Sequence, residues 1–345
     1  MADAQQLTGA VVGGGAMGAL HVRVLRSVPQ VRQVVLVEPD AQRRAALERE
    51  HSGLRCHVDL DSALAAERLD FACVAVPVGA APGVATTLIE AGIPVLLEKP
   101  MAPTIDEAEE LAELAEKSGV LMSIGYVERF NPAVRALREE LARGTCGTVY
   151  HVHARRLSPF PHRDGLAGVA TDLATHDLDV MRFLTGSDPV RLYAETDRAH
   201  GHEGEDLLCA SLRFENGVTG LIEANWLTPM KVRQLSVTTE TGMFIVDYLT
   251  QDLFLHEQPQ SELEWEAIGV MRGANEGRMI RYALERREPL LVEWESFVEA
   301  VVSGGPAPVP PADGVFALGA ARAMVESGRT ATPVAPAGFS RRNSR

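Results

Sequence analysis

A histidine four residues after an aspartate, Asp172 and His176, and a lysine set between a glutamate and a proline, Lys99, are the side chains of this sequence best suited to proton transfer. An imidazole titrates near neutrality, so His176 can take a proton from a hydroxyl or return it. Asp172 would share a helix face with His176 and could orient the ring or hold a substrate hydroxyl. Lys99 could donate to a carbinol oxygen and favour a developing alkoxide, or act as the base itself if desolvated. Taken singly, an Asp–His helix pair is more often structural, and a strand-end lysine is usually solvated. They acquire a task if the chain also binds a hydride acceptor. Oxidising a secondary alcohol needs a base, a donor at oxygen and a nicotinamide facing the carbinol hydrogen.

A site for that acceptor is written near the N-terminus. Gly13-Gly14-Gly15-Ala16-Met17-Gly18 fits G-x-G-x-x-G between an apolar strand and a helix. Gly13 allows a tight turn, Gly15 lets the backbone approach a pyrophosphate, and Gly18 permits close helix–strand packing. The helix opening at Ala16 and Met17 offers free N–H groups to phosphate. Glu38, 20 residues after Gly18, can accept from ribose hydroxyls and would repel a 2′-phosphate. NAD is therefore expected, with NADP second because Arg43 and Arg44 follow. Val76, Pro77, Glu98 and Lys99, at the ends of later apolar runs, complete the expected cofactor lining.

These residues need a frame. Apolar runs at Gly9–Gly13, Gln33–Glu38, Asp70–Pro77, Ile93–Glu98 and Val120–Gly125 are separated by amphipathic segments such as Ile105–Lys117. Continuous apolar strands between helices predict a doubly wound parallel sheet covered on both sides. The pattern changes after about residue 126. Asn131–Arg143 reads as a helix with Pro132 in its first turn and Gly144 beyond its end. Gly147–Leu157 alternates like a strand, and Asp172–Leu184 reads as a helix stopped by Gly186. From Pro189 to about His256, runs rich in Val, Thr, Tyr and Leu are broken by Glu215-Asn216-Gly217 and Thr241-Gly242, which predict hairpins. Helices near Trp294–Ser303 and Asp313–Ser327 follow. The expected fold class is α/β: an N-terminal Rossmann domain (1–125), then an α+β domain with a large, mainly antiparallel open sheet (126–330). A tail rich in Pro, Ala, Ser and Arg (331–345) is expected to fray.

Glu98-Lys99-Pro100, followed by Met101-Ala102, resembles the strand-end signature of the glucose–fructose oxidoreductase/inositol dehydrogenase/rhizopine-catabolism (Gfo/Idh/MocA) family. Asp172-Leu-Ala-Thr-His176, continuing Asp177-Leu-Asp179, resembles the family's second motif, on a helix of the C-terminal domain. The likeness extends over nearly the whole chain. It implies a sugar or cyclitol dehydrogenase in which Lys99, Asp172 and His176 do the chemistry, and it leaves open whether His176 or Lys99 is the base. Gly125 to Ala133 and Arg155 to Arg163 look like segments of the UDP-sugar dehydrogenases within that family, the UDP-N-acetylglucosamine 3-dehydrogenases and their relatives. That narrower likeness implies oxidation at C3 of a UDP-hexosamine. Tyr126, Arg129, Arg155, Arg156, His162 and Arg163 are the candidate substrate residues, because arginine forks suit a pyrophosphate. Ordinary surface ion pairing is the plainer reading of each arginine. A free or phosphorylated sugar, an inositol or an aminocyclitol is the alternative substrate. A non-catalytic NAD sensor is the alternative of another class.

Length and composition bound the rest. A chain of 345 residues predicts about two domains. A net charge of -14 argues against a nucleic-acid partner. Cys56, Cys73, Cys146 and Cys209 lie far apart with no CxxC, which reads as reduced thiols rather than disulfides or a zinc site. His151 and His153 alternate on one strand face with no third ligand spaced to join them, so no metal is expected. No apolar run is long enough to span a membrane, and a cytoplasmic location is expected. Alternating strands at Lys231–Thr239 and Met243–Leu249 leave an open sheet face that predicts a homodimer or homotetramer.

Overall fold

The computed structural model describes residues 6–161, 167–201, 203–258 and 277–336. They fall into two compact units. The first runs to Val127 and takes in Glu288–Gly319, and the second comprises Glu128–Arg287 with the chain from Ala320.

The first unit is a parallel sheet ordered β3-β2-β1-β4-β5-β6. Its strands are β1 (Leu7–Val12), β2 (Val31–Val37), β3 (Arg55–His57), β4 (Phe71–Val74), β5 (Val95–Leu97) and β6 (Met122–Ile124). Five of these coincide with the expected apolar runs. The third, Arg-Cys-His, has no apolar run and is held by its pairing to β2 alone, so periodicity does not reveal it. The helices of this unit are α1 (Ala16–Leu25), α2 (Ala41–Glu50), α3 (Leu60–Ala66), α4 (Ala81–Glu90) and α5 (Ile105–Ser118). Thr104 and Glu107 form a reciprocal capping box that starts α5, and Gly119 ends it at a φ of 64°.

Residues 288–319, which the sequence pattern assigns to the second domain, group with the first. The reason is apolar cover. Helix α8 (Pro289–Ser303) places Leu290, Trp294, Phe297 and Val298 in one core with Val22 and Leu25 of α1 and with Phe71, Cys73 and Leu96 of the sheet. A sheet apolar on both faces must have both covered, and α8 closes what the local βα units leave open.

The second unit is an open sheet ordered β14-β13-β12-β11-β7-β10-β9-β8. Its strands are β7 (Val149–Leu157), β8 (Pro189–Asp197), β9 (Leu207–Phe214), β10 (Thr219–Asn225), β11 (Val232–Thr239), β12 (Gly242–Asp247), β13 (Asp252–Glu257) and β14 (Met279–Arg281). All its pairs are antiparallel except β7 with β10. The expected hairpins occur at Glu215–Gly217, where Gly217 has a φ of 89°, and at Thr241. Helix α6 (Pro132–Ala142) is capped by Asn131, which accepts from the Ala133 amide. A π-helix, Ala170–Ala174, leads into α7 (Thr175–Thr185), which Gly186 ends at a φ of 62°. The long α9 (Pro311–Thr330) contributes its second half here, where Ser327 accepts from the Ala194 amide. The chain from Ala331 does not fray at once: Val334 pairs with Leu192 as an isolated antiparallel bridge. Among the described residues, no helix is long and apolar enough to cross a membrane.

If α8 is part of the first core, truncating Phe297 must cost as much as truncating a central core residue. Phe297 is 0% exposed. Phe297→Ala is expected to lower unfolding free energy by about 3–5 kcal/mol in urea titration.

Candidate active site

Every cofactor residue expected from the sequence lies in the first unit at or just beyond the carboxyl end of a parallel strand. In a doubly wound sheet that is the ligand edge, and the order reverses between β1 and β4. The turn after β1 is built as the fingerprint requires. Gly13 has a φ of 99°, and a Cβ on it would collide with the Ala75 carbonyl. A Cβ on Gly18 would strike the Gly13 carbonyl, so only glycine lets α1 come this close to the turn. A Cβ on Gly15 would meet no protein atom within 4 Å. Gly15 is the N-cap of α1 and no side chain caps the helix, so its first N–H groups are left for an anion. This turn fits a dinucleotide pyrophosphate.

Glu38 is 4% exposed. Its Oε2 accepts from the Gly14 amide at 2.7 Å and its Oε1 from the Asp40 amide at 2.8 Å. The carboxylate is thus pre-oriented by the loops it joins, and each oxygen keeps a lone pair for a ribose hydroxyl. Arg44, which could have favoured NADP, spends its Nη1 on the carbonyls of Glu38 and Pro39.

Glu98 and Lys99 follow β5. Glu98 Oε1 faces Nε2 of His21 at 2.9 Å, and Glu98 Oε2 accepts from the Lys99 amide at 3.2 Å. A Cβ on Gly125 would lie 3.1 Å from the Glu98 carboxylate, so the glycine after β6 leaves room for that side chain. Tyr126, expected to bind substrate, is 2% exposed and belongs to the first unit.

Asp172 and His176 belong to the second unit. They straddle the junction of the π-helix and α7, where the sequence predicts one continuous α-helix. Wide turns of this kind often mark functional positions. The junction is held from both sides. Glu205 accepts from the Ala170 amide at 2.7 Å, and Arg156 and Arg129 grip Asp177 and Asp179 further along. From Leu173 to Met181 every residue except His176 is buried, while Asp172 and His176 are half-buried. The helix therefore faces protein nearly all round, and these two side chains take the partly open positions.

The arginines are the residues least legible in the sequence. Arg129 gives its Nε to Asp179 at 2.6 Å, within a two-pronged pair whose carboxylate is fully buried. Arg156 binds Asp177 through Nε and Nη2 at 2.8 and 2.9 Å and Glu128 through Nη1 at 2.9 Å. Both are expected from the sequence to bind substrate, and both hold carboxylates of the same chain with their forks. Arg155 points to the opposite face of β7, where it pairs with Glu223. His162 and Arg163 lie outside the described residues.

Arg233, which the sequence pattern does not single out, lies beside Arg156. It sits opposite Arg156 in the β11–β7 register, on the row of Leu235 and Val237. An arginine at the end of that buried row is the available signal. Its Nη1 is held by the carbonyls of Leu157 and Val232 at 2.7 and 2.9 Å, which among the described residues leaves Nε and Nη2 for other acceptors. Burial, then the neighbouring Arg156 cation, push its pKa down to about 10, while Asp177, Glu128 and Asp172 act the other way. It stays charged at neutral pH.

A glycine turn that admits a pyrophosphate, with the Glu38 carboxylate at the end of the next strand, fits NAD, and the chain is an NAD-binding oxidoreductase. The chain belongs to the GFO/IDH/MocA family: the model for its NAD-binding Rossmann oxidoreductase domain matches residues 7–126, and that for its C-terminal domain matches residues 134–245. It is 27% identical over 303 residues to UDP-N-acetylglucosamine 3-dehydrogenase from Acidithiobacillus ferrooxidans, covering 86% of this chain and 89% of that one. It is 31% identical over 222 residues to inositol 2-dehydrogenase from Corynebacterium glutamicum, covering 62% of this chain and 66% of that one. A solved structure of the Acidithiobacillus enzyme superposes with a TM-score of 0.82 at 25% identity, covering 94% of this chain and 98% of that one.

Asp177→Ala leaves the buried Arg156 guanidinium with Glu128 as its remaining carboxylate and is expected to lower stability by about 1–3 kcal/mol in urea unfolding. Glu38→Ala removes a charge-assisted acceptor. It should raise the KM for NAD by about tenfold while letting NADP support turnover.

Proposed function

We propose that the protein oxidises a secondary hydroxyl of a sugar to a ketone, and that its substrate is a UDP-hexosamine oxidised at C3. Bound NAD supplies the hydride acceptor at nicotinamide C4. The residues of the chain supply the proton handling. His176 takes the hydroxyl proton, Asp172 orients the imidazole, and Lys99 donates to the carbinol oxygen so that charge developing there is stabilised. The observation that carries this reading is the partial exposure of Asp172 and His176 where the chain from Leu173 to Met181 is otherwise buried. The acidic side chains that follow them are committed to the scaffold, Asp177 to Arg156 and Asp179 to Arg129.

Two observations support a nucleotide sugar. The likeness to the Acidithiobacillus UDP-N-acetylglucosamine 3-dehydrogenase spans most of both chains. Arg233 keeps Nε and Nη2 for an acceptor, in the geometry that suits a phosphate oxygen. A second reading, a free sugar or cyclitol, is favoured by the occupied forks of Arg129 and Arg156, which leave fewer cations for a pyrophosphate. The outward face of the open sheet carries exposed Leu221 and Met243, which supports assembly with further copies of the chain.

The test is NADH formation with UDP-N-acetylglucosamine, UDP-N-acetylgalactosamine and myo-inositol. His176→Ala and Lys99→Ala are each expected to lower kcat/KM by about 10²–10⁴-fold. Arg233→Ala should raise the KM for the UDP-sugar by about tenfold, the worth of one charge-assisted hydrogen bond. Turnover of myo-inositol with none of either UDP-sugar would establish the second reading in its place.

A further inference from the structure

His21 is fully buried in α1, and both of its ring nitrogens are engaged. Nδ1 lies 3.0 Å from the indole nitrogen of Trp294. An indole N–H can only donate, so Nδ1 must present its lone pair. The ring is then the neutral tautomer with its proton on Nε2, and that proton points at Glu98 Oε1, 2.9 Å away. The other Glu98 oxygen accepts from the backbone amide of Lys99 at 3.2 Å. A continuous line of hydrogen bonds thus runs from Trp294 through His21 and Glu98 to the Lys99 backbone, all within the first unit.

The surroundings permit little else. Trp294 is locked among Phe71 and Phe297, with ring centroids 5.7 and 5.8 Å from its own. His21 meets it edge-on at 5.6 Å. A Cβ on Gly125 would come within 3.1 Å of the Glu98 carboxylate, so the carboxylate lies close against the Gly125 backbone. Arg23, further along α1, pairs with Glu288 at the start of α8 and ties the two helices together.

We infer that His21 and Trp294 are positioning residues: they hold the Glu98 carboxylate, and through it the backbone of Lys99, where the Lys99 side chain can serve the reacting oxygen. This rests on the reading that Lys99 takes part in the oxidation. The proton on His21 does not move during the reaction, and its task is to fix an orientation. An error of about 1 Å in a reacting group can cost about 100-fold in rate, so a rigid line to the backbone of that lysine has a catalytic consequence.

The test compares Trp294→Phe, His21→Gln and His21→Leu with the wild type, and repeats His21→Leu in a Lys99→Ala background. Trp294→Phe keeps an aromatic ring in the core and removes the N–H. His21→Gln retains a donor toward Glu98, and His21→Leu has none. The expected result is a fall in kcat of about 10- to 100-fold for His21→Leu, a smaller fall for Trp294→Phe, and a KM for NAD within about twofold of wild type. His21→Gln should restore part of the loss. In the Lys99→Ala background, His21→Leu should reduce kcat no further, because the two act on one step. Variants that melt at lower temperature but keep the wild-type kcat would overturn the relay and leave Lys99 in its role. Losses that multiply in the double variant would overturn it too. A Lys99→Ala enzyme with wild-type kcat would sink the reading of Lys99 itself.

Discussion

A parallel sheet whose central strands are apolar on both faces cannot stand in water, and the first unit is organised by the need to cover it. Local βα units supply most of the cover. The remainder comes from α8, which follows the whole of the second sheet in sequence and still completes the first core. That packing also carries chemistry. The indole that fills space beside Phe71 turns its N–H to His21, so the same side chain that seals the sheet orients a polar group beneath the strand ends.

The second unit solves a different problem. Its π-helix and α7 must sit against a sheet while leaving Asp172 and His176 half-buried. Apolar packing alone would leave the rotation of α7 weakly specified. Asp177 and Asp179 are drawn to Arg156 and Arg129 on different elements, and two buried ion pairs of fixed geometry allow one rotation. Glu205 holds the π-helix that precedes it. The arginines are therefore part of the scaffold for Asp172 and His176.

Charge is distributed accordingly. Guanidinium groups that spend their forks on buried carboxylates have fewer donors left for a ligand. Arg233, held through Nη1 by backbone carbonyls, has donors to spare beside them. Its depressed pKa reflects burial and the nearby Arg156 cation, which together outweigh the carboxylates around it.

The glycine turn, Glu38 and the strand-end Glu98-Lys99 were legible in the sequence because each depends on a few consecutive residues. A tight turn needs glycine wherever it occurs, and a strand end lies where its apolar run stops. The hairpins at Asn216-Gly217 and Thr241-Gly242 were legible for the same reason. What the sequence could not decide was which distant partner each charge would find. Arg129 and Asp179 are 50 residues apart, Arg156 and Asp177 are 21 apart, and His21 and Trp294 are 273 apart. Composition showed a basic set and an acidic set, and only the folded chain paired them. Burial makes those pairings specific, since a charge or an imidazole removed from water must find its partner within hydrogen-bonding distance.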